Sequence, residues 1–427
     1  MTHVRHPPSY YAATAIDRPA LAALDRDIVC DVCVIGAGYT GLSAALHLAE
    51  RGFRTVILEA EHIGWGASGR NGGQLGTTQR QDQKTLEAML GPETARHLWQ
   101  LGLESAALVK DLIARHAIPC DLKPGILHAA WKKADAATLR EEADHLRATY
   151  NYTHARFIDR AEIAGMVGTD RYWGGLLDTN AGHLHPLNFA LGLARACLTA
   201  GVEIFEQSRA LDIARNDPAR IKTAHGAVTA RHVVLACNGY LGKLDPRLAG
   251  RIMPINNFMI ATEPLGDDQA RALIRDDVAV ADTKFVIDYY RLSADKRLIF
   301  GGGENYSPRF PRDIPAFVRK PLLRVFPQLR DTAIDYAWGG TLAITRNRMP
   351  DFGRLAPNIL YAQGYSGQGL NIATLAGKLI AEALAGTAER FDIMARVPTR
   401  PFPGGTLLRT PGLVAGMLFY ALKDRLP

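Results

Sequence analysis

Apolar and polar positions alternate in blocks over the first sixty residues. Residues 31–35 form an apolar run with the length of a buried strand, and residues 42–49 have helical spacing that ends at Gly52. Residues 55–58 form a second apolar run, which Glu59 closes. This order predicts a strand–helix–strand unit with two buried parallel strands.

The connection between the first strand and the helix is rich in glycine. Gly36 permits a tight turn, Gly38 lets the backbone approach a pyrophosphate, and Gly41 lets the helix pack on the strand. Free N–H groups at the helix N-terminus favour phosphate. Glu59, eighteen residues past Gly41, is a candidate ligand for a ribose hydroxyl. The unit predicts a dinucleotide site but does not separate FAD from NAD.

The next segment, 64–74, has five glycines in eleven residues, which excludes a helix or a central strand. Such a backbone suits the close approach of a flat ligand. With this segment the chain resembles the D-amino-acid oxidase superfamily of flavoproteins, which includes glycine oxidase and sarcosine oxidase. There the corresponding segment runs past the pyrophosphate to the isoalloxazine ring, so the resemblance implies FAD.

Three further segments carry the same resemblance. Residues 182–186 resemble a Gly-x-x-x-Pro element that leads, through a helix predicted over 187–200, to a strand over 202–205. Residues 233–239 resemble an apolar strand that ends in a glycine near the dinucleotide. Residues 358–369 precede a predicted helix and resemble the C-terminal flavin motif, where a helix N-terminus faces the pyrimidine end of the flavin.

The resemblance implies an α/β fold, α+β overall, with a Rossmann-like FAD-binding domain and a second substrate domain built on an antiparallel sheet. The expected FAD-binding domain is discontinuous and consists of 27–86, 184–246 and 347–390. The expected substrate domain consists of 87–183 and 247–346, followed by a C-terminal extension, 391–427. In the substrate domain, helices are predicted over 84–115 and 134–148, and strands over 125–131, 251–262, 285–292 and 297–303.

The candidate cofactor residues come from these motifs. They are Gly36, Gly38, Tyr39, Thr40, Gly41, Glu59, Ala60, Gly66, Ala67, Ser68, Gly69, Arg70, Asn71, Gly72, Gly73, Gln74, Gly239, Gly364, Tyr365, Ser366, Gly367, Gln368 and Gly369. Relatives that attach the flavin covalently use a cysteine near the C-terminal motif or a histidine near the segment 68–71. Neither residue type is present there, so we expect FAD to be bound non-covalently.

A narrower resemblance, to the gamma-glutamylputrescine oxidase subfamily, covers almost the whole chain. Its motifs are 9–13, 30–33, 66–74, 288–292, 301–303, 348–350, 364–367 and 401–405. The superfamily's C-terminal motif has a histidine where this chain has Gln368. Glutamine can donate a hydrogen bond but cannot carry a proton charge, so an acid–base role at this position is not expected.

The resemblance implies hydride transfer from the α-carbon of an amine to flavin N5, giving an imine that hydrolyses to an aldehyde. Gamma-glutamylputrescine or a related amine is the expected substrate, and O2 is the expected acceptor, with H2O2 formed. Two alternatives remain. One is a D-amino-acid or sarcosine-type dehydrogenase that passes electrons to a quinone, and the other is a non-catalytic flavin-binding subunit.

Candidate catalytic residues are aromatic or polar, because the site must desolvate the amine and hold its neutral form. Tyr289 and Tyr290 are adjacent on one predicted strand, so at most one of them faces the flavin. The predicted catalytic set is Tyr290, Arg291, Trp338, Tyr365 and Gln368. A substrate carboxylate would pair with an arginine, for which Arg291, Arg346 and Arg348 are the candidates.

His183 and His185 form a His-x-His pattern, but no acidic or cysteine partner stands at ligand spacing, so no metal site is predicted. Alternation would place the two imidazoles on opposite faces, so that one of them could approach the flavin.

Charge and cysteine content add little to this picture. The net charge is +7, but the basic residues are scattered, so no nucleic-acid partner is expected. Five widely spaced cysteines fit a reducing compartment, and a cytoplasmic location is expected. Cys30 and Cys33 should point to opposite faces of a strand as core thiols. No run is long enough to span a bilayer, although the apolar segment 413–422 could pack on the protein or contact a membrane surface.

Overall fold

Seventeen strands are present in the part of the chain that the structure, a computed structural model, describes: residues 6–305 and 309–406. In chain order they are β1 (Ile28–Ile35), β2 (Thr55–Leu58), β3 (Gln74–Leu75), β4 (Lys123–Ala129), β5 (Ala155–Ile158), β6 (Gly175–His183), β7 (Glu203–Phe205), β8 (Asp212–Ala214), β9 (Ala219–Lys222), β10 (Ala227–Leu235), β11 (Met253–Thr262), β12 (Ala279–Asp282), β13 (Tyr289–Leu292), β14 (Leu298–Asn305), β15 (Ile334–Ile344), β16 (Asp351–Ala356) and β17 (Ile359–Gln363).

The helices connect and cover these strands. They are α1 (Tyr10–Ala13), α2 (Tyr39–Ala49), α3 (Gln83–Leu90), α4 (Pro92–Arg115), α5 (Lys133–Tyr150), α6 (Arg160–Met166), α7 (Pro186–Thr199), α8 (Pro246–Ala249), α9 (Gly266–Leu273), α10 (Ile314–Val325), α11 (Gly369–Leu384) and α12 (Glu389–Ala395). Short 3-10 turns occur at Ala67–Gly69, Asn238–Tyr240 and Pro327–Leu329. The helix predicted over 84–115 is split in two, because Gly91 adopts a φ of 82° and Pro92 begins α4.

The first sheet has the order β16–β17–β10–β1–β2–β7, and the strands from β17 to β7 run parallel. The central strand β1 is therefore covered on both faces, as its apolar sequence predicts. Helices α2, α7 and α11 pack on one face and contribute most of its buried apolar side chains. The carboxyl ends of β1, β2 and β10 meet at one edge, which is where such sheets bind ligands.

The second sheet has the order β15–β11–β14–β13–β12–β4–β6–β3, with β5 added beside β6. Its pairs are antiparallel except for β4 and β12, which run parallel because they come from two distant parts of the chain. Helices α9 and α10 pack against one face in a core of their own. The other face is turned toward the first sheet.

β3 lies within the predicted segment 27–86 and pairs with β6 of the second sheet. Of the elements predicted from the sequence, one strand begins later than expected and one segment lies outside the described residues. The strand predicted over 285–292 begins only at Tyr289. The apolar segment 413–422 lies outside the described residues.

Cys30 and Cys33 do not point to opposite faces. Both lie in the apolar core on the outer side of the first sheet, with free thiols. The alternation shifts by one residue between them, since the N–H groups of Asp31 and Val32 both donate to the carbonyl of Arg54. Burial raises the pKa of the Cys30 thiol to about 12, which fits two inert core thiols.

Candidate active site

A cavity of about 710 Å³ lies between the edge of the first sheet and the inner face of the second. One end is lined by the turn after β1 and by Glu59 and Ala60 after β2. The middle is lined by the glycine-rich segment 64–74 and by the N-termini of α2 and α11. The far end is lined by strands of the second sheet and by α5.

The turn after β1 has the geometry that its glycines predict. Gly36 adopts a φ of 110°, which favours glycine, and a Cβ on Gly41 would stand 1.9 Å from the carbonyl oxygen of Gly36. The carboxylate of Glu59 accepts hydrogen bonds from the N–H groups of Ala37 (2.7 Å) and Glu61 (2.8 Å). Burial raises the pKa of Glu59, while these two bonds lower it. Glu59 therefore orders the turn as well as facing the cavity.

Two helix N-termini open onto the cavity. Neither Gly38, which caps α2, nor Gln368, which caps α11, makes a side-chain capping hydrogen bond. The helices cross so closely that a Cβ on Gly377 would lie 2.4 Å from the amide nitrogen of Ala44. Gly367 adopts a φ of 97° and faces open space. The positive ends of two dipoles thus point toward the same cavity, where they favour anionic groups.

The glycine-rich segment is held by side chains and is not a loose loop. The Asn71 amide donates to the carbonyls of Ala67 and Ser68, and its oxygen accepts from the N–H of Gly73. The buried guanidinium of Arg70 donates to the carbonyl of Trp65 and lies 4.1 Å from the centre of the Trp65 ring. Among the described residues its Nη2 has no hydrogen-bond partner. This orphaned donor is available to a bound ligand.

FAD fits this cradle. An acid stands at one end, two helix N-termini and close-packed glycines stand in the middle, and a buried cation with an unused donor stands beside them. Of the predicted cofactor residues, eighteen line the cavity: Gly36, Gly38, Tyr39, Thr40, Glu59, Ala60, Gly66, Ala67, Ser68, Arg70, Asn71, Gly72, Gln74, Tyr365, Ser366, Gly367, Gln368 and Gly369. The other five, Gly41, Gly69, Gly73, Gly239 and Gly364, are not among the residues that line the cavity.

One row of residues crosses the cavity-facing side of the second sheet. In register, from β6 to β15, the row is Leu176, His128, Ala281, Tyr289, Gly301, Met259 and Trp338. The Tyr289 ring leans over Gly301, where a Cβ would lie 2.2 Å from the ring, and its hydroxyl donates to Asn257 (2.6 Å). Ala281, whose side chain is a single methyl group, separates Tyr289 from His128, which stand two strands or roughly 10 Å apart. All three line the cavity, and we call the space above Ala281, between the other two side chains, the groove.

His128 was missed by the sequence prediction, although it is a single polar residue in an apolar strand. Its side chain is exposed to the interior of the cavity, and burial lowers its pKa, so the imidazole is neutral near pH 7. Asn257, Phe285 and Glu142 also line the cavity and were missed, because only the pairing of distant strands and helices brings them there.

Tyr290 does not line the cavity but lies in a hydrophobic core. Its ring stacks on Phe300 with an interplanar angle of 2°, and its hydroxyl donates to that of Tyr172 in the core of α9 and α10. Tyr289, its neighbour on β13, faces the cavity instead. Alternation predicted that only one of the two could do so, but the register of the sheet decides which.

Arg291 and Trp338 do not line the cavity either. Arg291 is buried behind the lining and donates to the carbonyl of Gly72 (2.9 Å) and to the hydroxyl of Tyr11 (3.3 Å). The Trp338 indole donates to the carbonyl of Arg70, and its ring packs on Tyr11. Both side chains support the glycine-rich segment from behind. Tyr365 and Gln368, in contrast, line the cavity, and the hydroxyls of Tyr365 and Thr40 lie 2.6 Å apart.

The three arginines predicted as partners of a substrate carboxylate differ in their position relative to the cavity. Arg346 is exposed and donates to the carbonyl of Pro401, and Arg291 is turned away from the cavity. Arg348 lines the cavity with its guanidinium 5.4 Å from the centre of the Phe285 ring. Of the three, Arg348 is placed to meet a substrate.

Neither histidine of the His-x-His pattern lines the cavity. His183 bonds through Nε2 to the carbonyl oxygen of Asp277, while His185 caps α7 by accepting from the N–H of Asn188. Over residues 6–305 and 309–406, no group of three His, Cys, Asp or Glu side chains could hold a metal ion.

The fold and the site define a flavin-dependent oxidoreductase. A family model described as FAD dependent oxidoreductase matches residues 31–383, and the chain belongs to this family. The predictions of family, fold class, FAD and enzyme class are therefore confirmed. Within the described residues, no helix is both long enough and apolar enough to cross a membrane.

Two relatives and one solved structure show which members of the family this chain is similar to. The chain is 47% identical to gamma-glutamylputrescine oxidoreductase of Escherichia coli (strain K12), over 99% of each chain. It is 38% identical to a probable oxidoreductase OrdL of Haemophilus influenzae, over 99% of this chain and 98% of that one. The crystal structure of glycine oxidase from Geobacillus kaustophilus superposes with a TM-score of 0.73 at 20% identity, covering 88% of this chain and 100% of the other.

Proposed function

We propose that this enzyme oxidises a terminal primary amine on an aliphatic chain, with gamma-glutamylputrescine as the substrate and O2 as the electron acceptor. The observation that carries the proposal is the groove between Tyr289 and His128, which opens beside the glycine-rich cofactor segment. The likeness to the gamma-glutamylputrescine oxidoreductase of Escherichia coli supports the choice of amine.

The groove suits an uncharged amine. Ala281 forms an apolar floor, and the Tyr289 ring forms one wall. An ammonium ion with a pKa near ~10 loses its proton more easily once it is taken out of water. The neutral imidazole of His128 can accept a hydrogen bond from the amine N–H, which orients the adjacent carbon toward the cofactor segment.

Bound FAD would supply the acceptor for a hydride from that carbon, and O2 would be the final acceptor of the two electrons, with H2O2 as product. The amine R–CH2–NH2 thereby becomes the imine R–CH=NH, and water converts the imine to the aldehyde and ammonia. The protein's own contribution is to bind the amine, exclude water from the groove and hold the neutral nitrogen. Arg348 is the proposed partner of the glutamyl carboxylate, since it is the candidate arginine that faces the cavity.

An anaerobic amine panel tests the proposal. The flavin absorbance of the purified protein should bleach with gamma-glutamylputrescine and much less with putrescine, sarcosine or D-alanine. Admitting air should return the colour and yield one H2O2 for each aldehyde. Bleaching by sarcosine or D-alanine alone would reject the substrate class, and turnover only with artificial acceptors would reject O2.

A further inference from the structure

Most charged groups along the cavity wall are matched by partners within the protein. Lys284 pairs with both Asp282 and Asp288 on the segment between β12 and β13. Asp178 accepts hydrogen bonds from Thr77 and Tyr152. These groups are satisfied without a ligand, which is the ordinary state of buried polar side chains.

Two charged groups on the wall are exceptions. Within the described residues, neither the guanidinium of Arg348 nor the carboxylate of Glu142 makes a hydrogen bond or an ion pair with a side chain. Both line the cavity, and they carry opposite charges. A half-buried charge without a partner costs free energy, so an unmatched pair of opposite sign suggests a ligand that satisfies both.

Glu142 differs from its neighbour Glu141 in the face of α5 on which it lies. Leu139 and Leu146, three residues before it and four after it on α5, line the cavity with it, so the carboxylate stands in an otherwise apolar helix face. Its neighbour Glu141 is exposed and pairs with Lys84 (3.6 Å). The helix therefore carries one solvated acid and one acid turned inward.

A short segment connects the surroundings of the two groups. The Gln81 side chain donates to the carbonyl of Asn347 (2.9 Å), which precedes Arg348 in a turn. The next residue, Asp82, lies close enough to Glu142 for its charge to raise the pKa of that carboxyl. Arg348 adopts a φ of 63°, and the Asn347 side chain accepts from the N–H of Met349, so the turn is fixed. The adjacent residues Gln81 and Asp82 thus link the turn of Arg348 to the surroundings of Glu142.

We propose that Glu142 binds a substrate ammonium group next to the carboxylate held by Arg348, so that together they recognise an α-amino acid head. This inference rests on the proposed function, because it assigns the far end of the substrate whose amine enters the groove. The γ-glutamyl group carries an ammonium and a carboxylate on one carbon, whereas free putrescine carries neither a carboxylate nor a branched head. Glu142 would therefore determine specificity.

Electrostatics are consistent with this role. Burial raises the pKa of Glu142 to about 7, with Asp82 adding to the rise and Lys84 opposing it. An arriving ammonium group favours the ionised carboxylate and restores the charge where it is needed.

Three amides of putrescine test the inference. They carry γ-glutamyl, glutaryl (no α-ammonium) and 4-aminobutyryl (no α-carboxylate) heads. The variant Glu142→Gln should raise the KM for the γ-glutamyl amide about tenfold or more. The KM for the glutaryl amide, which has no ammonium group to lose, should change far less. The matched control Glu141→Gln, on the exposed face of the same helix, should leave all three values within about twofold of the wild type.

A second measurement separates this inference from the proposed function. Binding of γ-glutamylmethylamide, which has the head but no oxidisable amine, is followed by its shift of the flavin spectrum in the holoenzyme. If Glu142→Gln weakens this binding, the inference stands even where no amide is oxidised. Equal losses on all three amides, or unchanged binding of the methylamide, would overturn it.

Discussion

At the scale of single residues, side chains next to each other in sequence have very different roles. Tyr289 faces the cavity and Tyr290 the core, and Glu142 faces inward while Glu141 is exposed. These neighbouring pairs provide matched variants, in which the chemistry of the substitution is constant and only the surroundings differ.

The tyrosine pair gives the first prediction. Tyr289→Phe should lower kcat/KM for the amine substrate, because the hydroxyl that donates to Asn257 fixes the groove wall. Tyr290→Phe should leave kcat/KM nearly unchanged and lower the free energy of unfolding by about 1 kcal/mol, through loss of the bond to Tyr172. Steady-state kinetics and urea unfolding of both variants check this. The reverse pattern would place Tyr290 at the site after all.

Arg291 and Arg348 give the second prediction. Arg291→Ala should reduce turnover of gamma-glutamylputrescine and of putrescine to the same extent, because it loosens the glycine-rich segment at Gly72. Arg348→Ala should reduce turnover of gamma-glutamylputrescine roughly tenfold or more relative to putrescine. The ratio of the two kcat/KM values is the measurement. If Arg291→Ala reduced kcat/KM for gamma-glutamylputrescine but not for putrescine, Arg291 would be the residue that binds the substrate carboxylate.

Glu59 gives the third prediction, on cofactor retention. Glu59→Ala removes the acceptor for the N–H groups of Ala37 and Glu61 and the proposed ribose ligand together. The FAD content after gel filtration should fall at least about tenfold, as expected for lost hydrogen bonds to a charged group. The released flavin should be intact FAD. Flavin that remains attached after denaturation would contradict non-covalent binding.

At the scale of elements, the crossing of α2 and α11 positions the two N-termini. Gly377→Leu should separate these helices, since a Cβ alone would lie 2.4 Å from the backbone of Ala44, and FAD should be lost. Gly165→Ala on α6 is the control, because its Cβ would meet nothing closer than 3.8 Å. Flavin absorbance per protein and melting temperature distinguish the two variants. Normal FAD content in Gly377→Leu would show that the crossing is not required.

The sequence predicts many of the helices and strands, but it does not predict the register in which distant strands pair. The strand–turn–helix unit around Gly36 is local, so its spacing predicts it fully. The row that joins His128 to Tyr289 depends on β12 pairing with both β4 and β13, across about 160 residues of chain. A one-residue slip of β13 would exchange Tyr289 for Tyr290. The missed site residues all depend on such distant pairings.

At the scale of the whole molecule, buried neutral histidines link stability to pH. Burial lowers the pKa of His185 to about 3, and it lowers those of His47 and His183 as well. Between pH 6.5 and the folded-state pKa the unfolded chain binds more protons, so the free energy of unfolding falls as pH falls. Each histidine contributes up to about 1.4 kcal/mol per pH unit.

Unfolding midpoints between pH 4.5 and 7 test this linkage. The variant His185→Gln should show a shallower fall than the wild type, whatever its absolute stability. Because the pKa of Glu142 is raised, this carboxyl makes the free energy of unfolding rise as pH falls, opposite to the histidines. The measurement that decides is therefore the difference in slope between His185→Gln and the wild type. Identical slopes would show that His185 has the same pKa in the folded and the unfolded protein.

The crossing at Gly377 also bears on the order of synthesis. The first phosphate-facing turn leaves the ribosome early, but the helix that completes the cradle lies more than three hundred residues later. We therefore expect that a nascent or truncated chain, which has only one of the two helix N-termini, does not retain FAD. The yellow colour of bound flavin would accordingly indicate that the chain has been synthesised beyond α11 and that α11 has packed against α2.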